Sequence, residues 1–160
     1  MYASTDVRSG RSAAHRRLRA TSQIIALMLT ITFTTAAFAL DLVVIVNPAS
    51  KVESLTRAQT LDIFLGRYRK LPSGSTAMPL DLRDNAPERA QFYINLAHMD
   101  AALMQSYWAR LVFSGKASPP FQVEDPLMAI ELVAANPNAI AYIDRSLVDN
   151  RVKVVLDLSR

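Results

Sequence analysis

The stretch Leu40-Asp41-Leu42-Val43-Val44-Ile45-Val46-Asn47-Pro48 decides the class of the fold. From Leu42 onward it is rich in β-branched residues and apolar on both faces, and Asn47-Pro48 stops it. A strand of that kind is buried on both sides, which requires a sheet covered by helices. The chain that follows supplies them. Thr56, with Gln59 three residues on, forms a capping box, which predicts a helix with Ala58, Leu61, Phe64 and Leu65 on one face and Gly66 at its end. Met78, Leu80 and Leu82 then alternate with Pro79, Asp81 and Arg83, the period of a half-buried strand with Arg83 at its carboxyl end. Asp84 or Asn85 can cap the next helix, which has Pro87 in its first turn and Ala90, Tyr93, Ile94 and Ala97 on its apolar side. Asp100 caps a further helix with the core face Ala101, Met104, Trp108 and Leu111.

Ser118-Pro119-Pro120 excludes regular structure, and Asp125-Pro126 opens a helix through Ala129, Leu132 and Val133 that Asn136-Pro137-Asn138 breaks. Two strands are expected at residues 139–143 and 152–156. The order β-α-β-α-α-α-β-β predicts an α/β domain with a mostly parallel sheet flanked by helices.

Upstream of this domain the composition changes. Arg8, Arg11, Arg16, Arg17 and Arg19 precede an apolar run over residues 24–33, and Ala37-Phe38-Ala39 follows. A basic region, an apolar region and an A-x-A site in that order predict a signal peptide over residues 1–39, cleaved after Ala39, and a domain over residues 40–160 in the bacterial periplasm. The other reading is an uncleaved anchor, because residues 24–40 carry no charge and are almost long enough to span a bilayer. The Thr and Ala residues near the end of that run weaken a membrane helix and suit a peptidase. Arg16-Arg17 is weak evidence for a twin-arginine signal, since basic leaders produce adjacent arginines often.

Five of the 18 basic residues and one of the 14 acidic ones lie before Ala39, so the remainder carries 13 of each and no net charge. That removes the argument for a nucleic-acid partner, which needs excess cations to displace counterions from phosphates. Without cysteine the chain has no disulfide, no thiolate metal site and no lipid anchor on a cysteine. After residue 39 it has one histidine, His98, and three glycines, Gly66, Gly74 and Gly115, none in a phosphate-cradling loop. No nucleophile and base pair up, and scattered carboxylates lack ligand spacing, so the residues predict neither an enzyme, nor a metal site, nor a cofactor.

The segments Val46-Asn47-Pro48, Ser54-Leu55-Thr56, Ile63-Phe64-Leu65-Gly66, Pro79-Leu80-Asp81-Leu82-Arg83, Phe92, Trp108, Phe113-Ser114-Gly115 and Ala139-Ile140-Ala141-Tyr142 occur in that order. Together they resemble the phosphate-type substrate-binding proteins of ABC importers, and in particular their short, single-lobe periplasmic relatives. The resemblance implies one periplasmic-binding-protein-like lobe, corresponding to the second of two, and a small oxyanion such as phosphate as ligand. It also implies an ABC transporter, or another envelope protein, as partner. The family holds phosphate partly with a segment of the form Arg-x-Asp-x-Ser-Gly-Thr at a helix N-terminus. The matching positions read Arg83-Asp84-Asn85-Ala86-Pro87-Glu88-Arg89. Arg83 is kept, but Pro87 removes an N–H donor, Glu88 adds a negative charge and the hydroxyl is gone.

Arg83, Asn85 and Arg89 are the candidate ligand-binding residues, at a strand end and a helix start where open α/β sheets bind ligands. They read also, and more simply, as a capped helix with exposed arginines, with Glu88 pairing either arginine or the helix dipole. Arg67, Tyr68, Arg69 and Lys70 read as a cationic lip, or as a solvated run complementing a helix C-terminus. Tyr107 and Trp108 could line a pocket, but Trp108 shares a face with Met104 and Leu111 and is expected in the core.

Overall fold

The computed structural model describes residues 40–159, and the expected leader over residues 1–39 lies outside them. The first strand, β1 (Leu42–Val46), is buried at all five positions, as its two-faced apolar sequence requires. Helix α1 (Arg57–Phe64) starts on the expected box: the Gln59 N–H donates to the Thr56 hydroxyl and the Gln59 side chain accepts from the Thr56 N–H. Its buried side chains are Thr60, Ile63 and Phe64, while Ala58 is exposed, so the packed face is rotated from the expected one. Leu65 follows, buried, and Gly66 turns the chain at φ +66°.

Strand β2 (Met78–Leu82) is followed by α2 (Pro87–Ala97) and α3 (Ala101–Phe113). Ala86, not Asp84 or Asn85, is the N-cap of α2, and no side chain caps that helix. Its buried face is Arg89, Phe92, Tyr93 and Leu96, whereas Ala90 is exposed and Ile94 is 49% exposed. Asp100 caps α3 as expected, its carboxylate accepting from the Leu103 N–H at 2.8 Å. Only Met104 and Trp108 of α3 are buried; Ala101 is exposed and Leu111 half-buried.

A short strand, β3 (Phe121–Val123), follows the Pro119-Pro120 pair where the sequence predicted none. Two prolines fix an extended backbone, which feeds a strand as readily as a coil. Helix α4 (Pro126–Ala135) is capped by Asp125, and β4 (Ala139–Asp144) and β5 (Lys153–Asp157) end the described fold.

The five strands lie in the order β3-β2-β4-β1-β5. β2 runs parallel to β3 and β4, while β1 runs antiparallel to both β4 and β5. The sheet is therefore mixed and flanked by four helices: β2, β3, β4 and β5 run in one direction, as expected, and β1 among the five runs against them. Burial of β1 on both faces reports the two covering layers and does not set strand direction. Asn47 ties the end of β1 to α4, its side-chain amide donating to the carbonyls of Val133 and Ala134 at 3.0 and 2.7 Å. Phe64, Leu80, Trp108 and Ile140 share one core. On one sheet face Phe92 stacks on Tyr142 with ring centroids 3.9 Å apart, and Phe64 meets Phe92 edge-on at 4.8 Å.

Candidate functional site

The parallel strands β2 and β3 end side by side, and α2 and α4 start just beyond them. This is the crevice in which open α/β sheets present ligands to helix N-termini. Here each helix opens with a proline, which offers no N–H, and the first turn of α4 already hydrogen-bonds the Asp125 carboxylate. Glu88 occupies the first turn of α2.

Arg83 stands in the loop after β2 with about half of its side chain exposed. Its Nε donates to the Glu124 carbonyl at 3.0 Å, and Nη2 lies 2.8 Å from the Glu124 carboxylate. Asn85 is exposed in the turn before α2. Arg89 is only 8% exposed; its Nε donates to Asp81 Oδ2 at 2.9 Å and Nη1 reaches Asp84 Oδ1 at 3.2 Å. Arg83 and Asn85 are thus exposed in the turn between β2 and α2, while Arg89 is buried beside it and reaches that turn through Asp84. Asp81, Asp84 and Glu124, rather than Glu88, partner the two arginines.

Asp81 is the residue that the strand pattern placed on the solvent side, yet it is 2% exposed. Besides Arg89, its carboxylate accepts from the Tyr93 hydroxyl at 2.9 Å and the Tyr142 hydroxyl at 2.5 Å. The Tyr142 oxygen in turn accepts from the Leu82 N–H at 3.3 Å. Gln122 donates to Asp84 at 3.2 Å, so a polar chain runs from β4 through β2 and α2 to β3. The signal in the sequence is the spacing: Arg89 and Tyr93 are four apart, one helical turn, and present two donors to the same strand position.

Burial pushes the Asp81 carboxyl above the usual aspartate range, with Arg89 and the hydroxyls pulling it back; at Arg89 burial acts downward, and the charge and hydrogen bond of Asp81 together outweigh it and raise the guanidinium. Burial, then the Asp81 charge, hold the Tyr93 and Tyr142 phenols well above their ordinary value near 10. A phenol raised in the fold keeps its proton when the unfolded chain has lost it, so its contribution to stability falls as pH rises through the unfolded value. Stability is expected to drop above about pH 10, with part of the tyrosinate absorbance at 295 nm appearing only as the far-ultraviolet circular dichroism is lost. In Y93F/Y142F that coupled absorbance step is expected to vanish.

Between α3 and β3 lies a groove of about 1040 Å³, with Gln105 and Val112 on one wall, Pro120 and Phe121 on the other, and Arg89 and Asp84 at one end. Trp108 borders it but is 7% exposed, a core residue as expected, with its ring edge over Gly66 and its indole N–H buried without an acceptor among the described residues. The Tyr107 hydroxyl donates to the Leu65 carbonyl at 2.7 Å. In the basic run, Arg67 lies 3.6 Å from Asp62, and Tyr68 and Arg69 edge a smaller pocket of about 270 Å³ shared with Pro119. His98 closes α2 in the left-handed conformation at φ 53° and is exposed, away from this corner.

No protein-family model matches the sequence, and no curated protein matches it. Solved structures do match. An ABC-type phosphate transport receptor from Vibrio cholerae superposes with a TM-score of 0.58 at 20% identity, covering 72% of this chain and 45% of that one. A chain from Clostridium perfringens solved with bound phosphate, and described as a phosphate ABC transporter substrate-binding protein, gives 0.58 at 20%, covering 72% and 44%. PstS from Borrelia burgdorferi gives 0.52 at 14%, covering 72% and 46%. The chain spans less than half the length of these structures, and identities this low speak to fold alone. The described residues thus have the α/β fold of the phosphate-type substrate-binding proteins of ABC transporters, in the extent of a single lobe.

Proposed function

We propose that this chain is an exported, non-enzymatic module of the bacterial envelope that keeps the solute-binding fold and acts by contact with another envelope protein, an ABC transporter subunit included. In this reading the leader is removed after Ala39 and the domain works in the periplasm. The supporting observation is electrostatic: Arg83 already faces Glu124, and Arg89 faces Asp81 and Asp84. An incoming anion would have to displace a carboxylate at the lip, and a single charge at an exposed helix end contributes only about 0.3–1 kcal/mol. Micromolar binding needs roughly 8 kcal/mol.

The second reading is a small oxyanion, phosphate-like, at Arg83, Asn85 and Arg89, serving uptake. It is favoured by the solvent access of Arg83, whose side chain is 54% exposed. It is favoured too by the bound phosphate in the Clostridium perfringens structure. Isothermal titration with phosphate and sulfate separates the two. The expected result is no saturable heat up to millimolar ligand, with R83A indistinguishable from wild type. Saturable heat that R83A abolishes would replace the contact reading with the anion one. Co-purification of one membrane-associated partner that survives R83A supports contact away from this lip.

A further inference from the structure

The two edges of the sheet are finished differently. At β5 the segment before α1 lies alongside, with the Leu55 N–H donating to the Val155 carbonyl at 2.9 Å. At β3 the backbone is open. The Met78 N–H donates to the Asn138 carbonyl and the Leu82 N–H to the Tyr142 hydroxyl, so the even-numbered amides of β2 face β4. Backbone groups alternate in direction along a strand, so Asp81 faces β3, and Phe121 and Val123, on either side of its partner Gln122, face back to β2. The Gln122 N–H and C=O therefore point away from the sheet, and neither has a partner among the described residues. Beside them runs the groove of about 1040 Å³, walled on its far side by Ala101, Ala102, Ala109 and Val112 of α3.

We propose that an extended peptide segment of a partner protein lies in this groove and pairs with β3 as a further strand of the sheet. The backbone and the charge of the groove select that occupant. A free N–H and C=O on one residue, aimed together out of a sheet edge, are matched together by the backbone of another strand. The small side chains on the α3 wall leave room for larger apolar ones at alternate positions of that strand. At the end of the groove Asp81 and Asp84 share the one cation of Arg89, which leaves a net negative charge, and the Asp84 side chain is 80% exposed. The fitting segment therefore alternates apolar with small polar residues and carries a Lys or Arg where it passes Asp84. The proposal rests on the contact reading above, for which it names the surface and the kind of partner.

The test uses the protein as its bacterial host processes it. The probes are the capped peptide Lys-Val-Ser-Val-Ser-Val-Lys and its counterpart with Glu at both ends. Saturable binding of the Lys peptide is expected below about 1 mM, and binding of the Glu peptide at least about tenfold weaker. Amide exchange followed by nuclear magnetic resonance should find Gln122 unprotected in the free protein, and the Lys peptide should slow it at least about tenfold. Q122P removes the outward N–H and leaves the β2 ladder whole, a place where an edge strand accepts proline. It should melt with wild type and bind the Lys peptide at least about tenfold more weakly. Q122A, which keeps the backbone groups, should bind as wild type does. The proposal is overturned if the Lys peptide fails to bind at about 1 mM, binds Q122P equally, or leaves the Gln122 amide unprotected. A wild-type dimer that Q122P abolishes also overturns it, since the occupant is then a second copy. An envelope partner that Q122P retains would keep the contact reading and remove this one.

Discussion

Asp81→Leu is expected to destabilise the fold by about 3–5 kcal/mol, measured as a lowered urea midpoint at unchanged slope. The substitution replaces both carboxylate oxygens with larger methyl groups that accept nothing, and leaves the buried Arg89 guanidinium with Asp84 at the rim as its remaining ion partner. It also strips the acceptor from the Tyr93 and Tyr142 hydroxyls at once. Buried donors left unmatched are costly, whereas removal of both members of a buried ion pair is often nearly neutral. The double variant D81L/R89M is therefore expected to recover the part of the loss that comes from the unpaired guanidinium, but not the part from the two hydroxyls, giving a coupling energy of about 2 kcal/mol. That pattern would identify the cluster as a structural clamp joining β2, β4 and α2.

Phe92→Ala is expected to cost about 3–5 kcal/mol, the range for a phenyl ring removed from a close-packed core. Phe92 is fully buried, stacked on Tyr142 with ring planes 10° apart and edge-on to Phe64 and Tyr93. Three aromatic neighbours on three elements cannot all collapse into the space it leaves. F92L, which keeps most of the volume, should lose about 1.5 kcal/mol or less. Thermal or urea unfolding of both variants separates the volume effect from the stacking effect. The Tyr142 hydroxyl should keep its bond to Asp81 in F92L, so the alkaline behaviour described above would be retained there.

Local signals carried much of the architecture. Thr56 with Gln59, Asp100 and Asp125 each cap the helix that their sequence context predicts, because a cap involves atoms only two or three residues away. Trp108 reads as core from the helix face that it shares with Met104 and Leu111, and it is core. The packed faces of α1 and α2 were less legible. Thr60 and Arg89 are buried because one bonds back to the Thr56 carbonyl and the other meets Asp81, and hydrophobicity alone does not count such compensated groups. Helix α2 has no capping side chain, and β3 has only three residues after a Pro pair, so neither leaves a distinct local pattern.

The candidate lip was legible only as a list. Arg83, Asn85 and Arg89 lie within seven positions, but Arg83 pairs with Glu124 just after β3 while Arg89, on α2, is buried against Asp81 of β2. Glu124, 41 residues from Arg83, supplies the opposing charge, and nothing near Arg83 in the sequence announces it.

By itself the sequence determined every helix and strand but β3, their order, the α/β class and the two-sided burial of β1, since each follows from periodicity, capping or proline geometry within a few residues. Tertiary structure alone decided that β1 runs antiparallel to its neighbours, that Asp81 faces a second packed layer instead of water, and that both arginines of the corner meet carboxylates. The physical reason is range: backbone torsions and helical spacing act between near neighbours, whereas strand direction and charge pairing are fixed by residues that only the folded chain brings together.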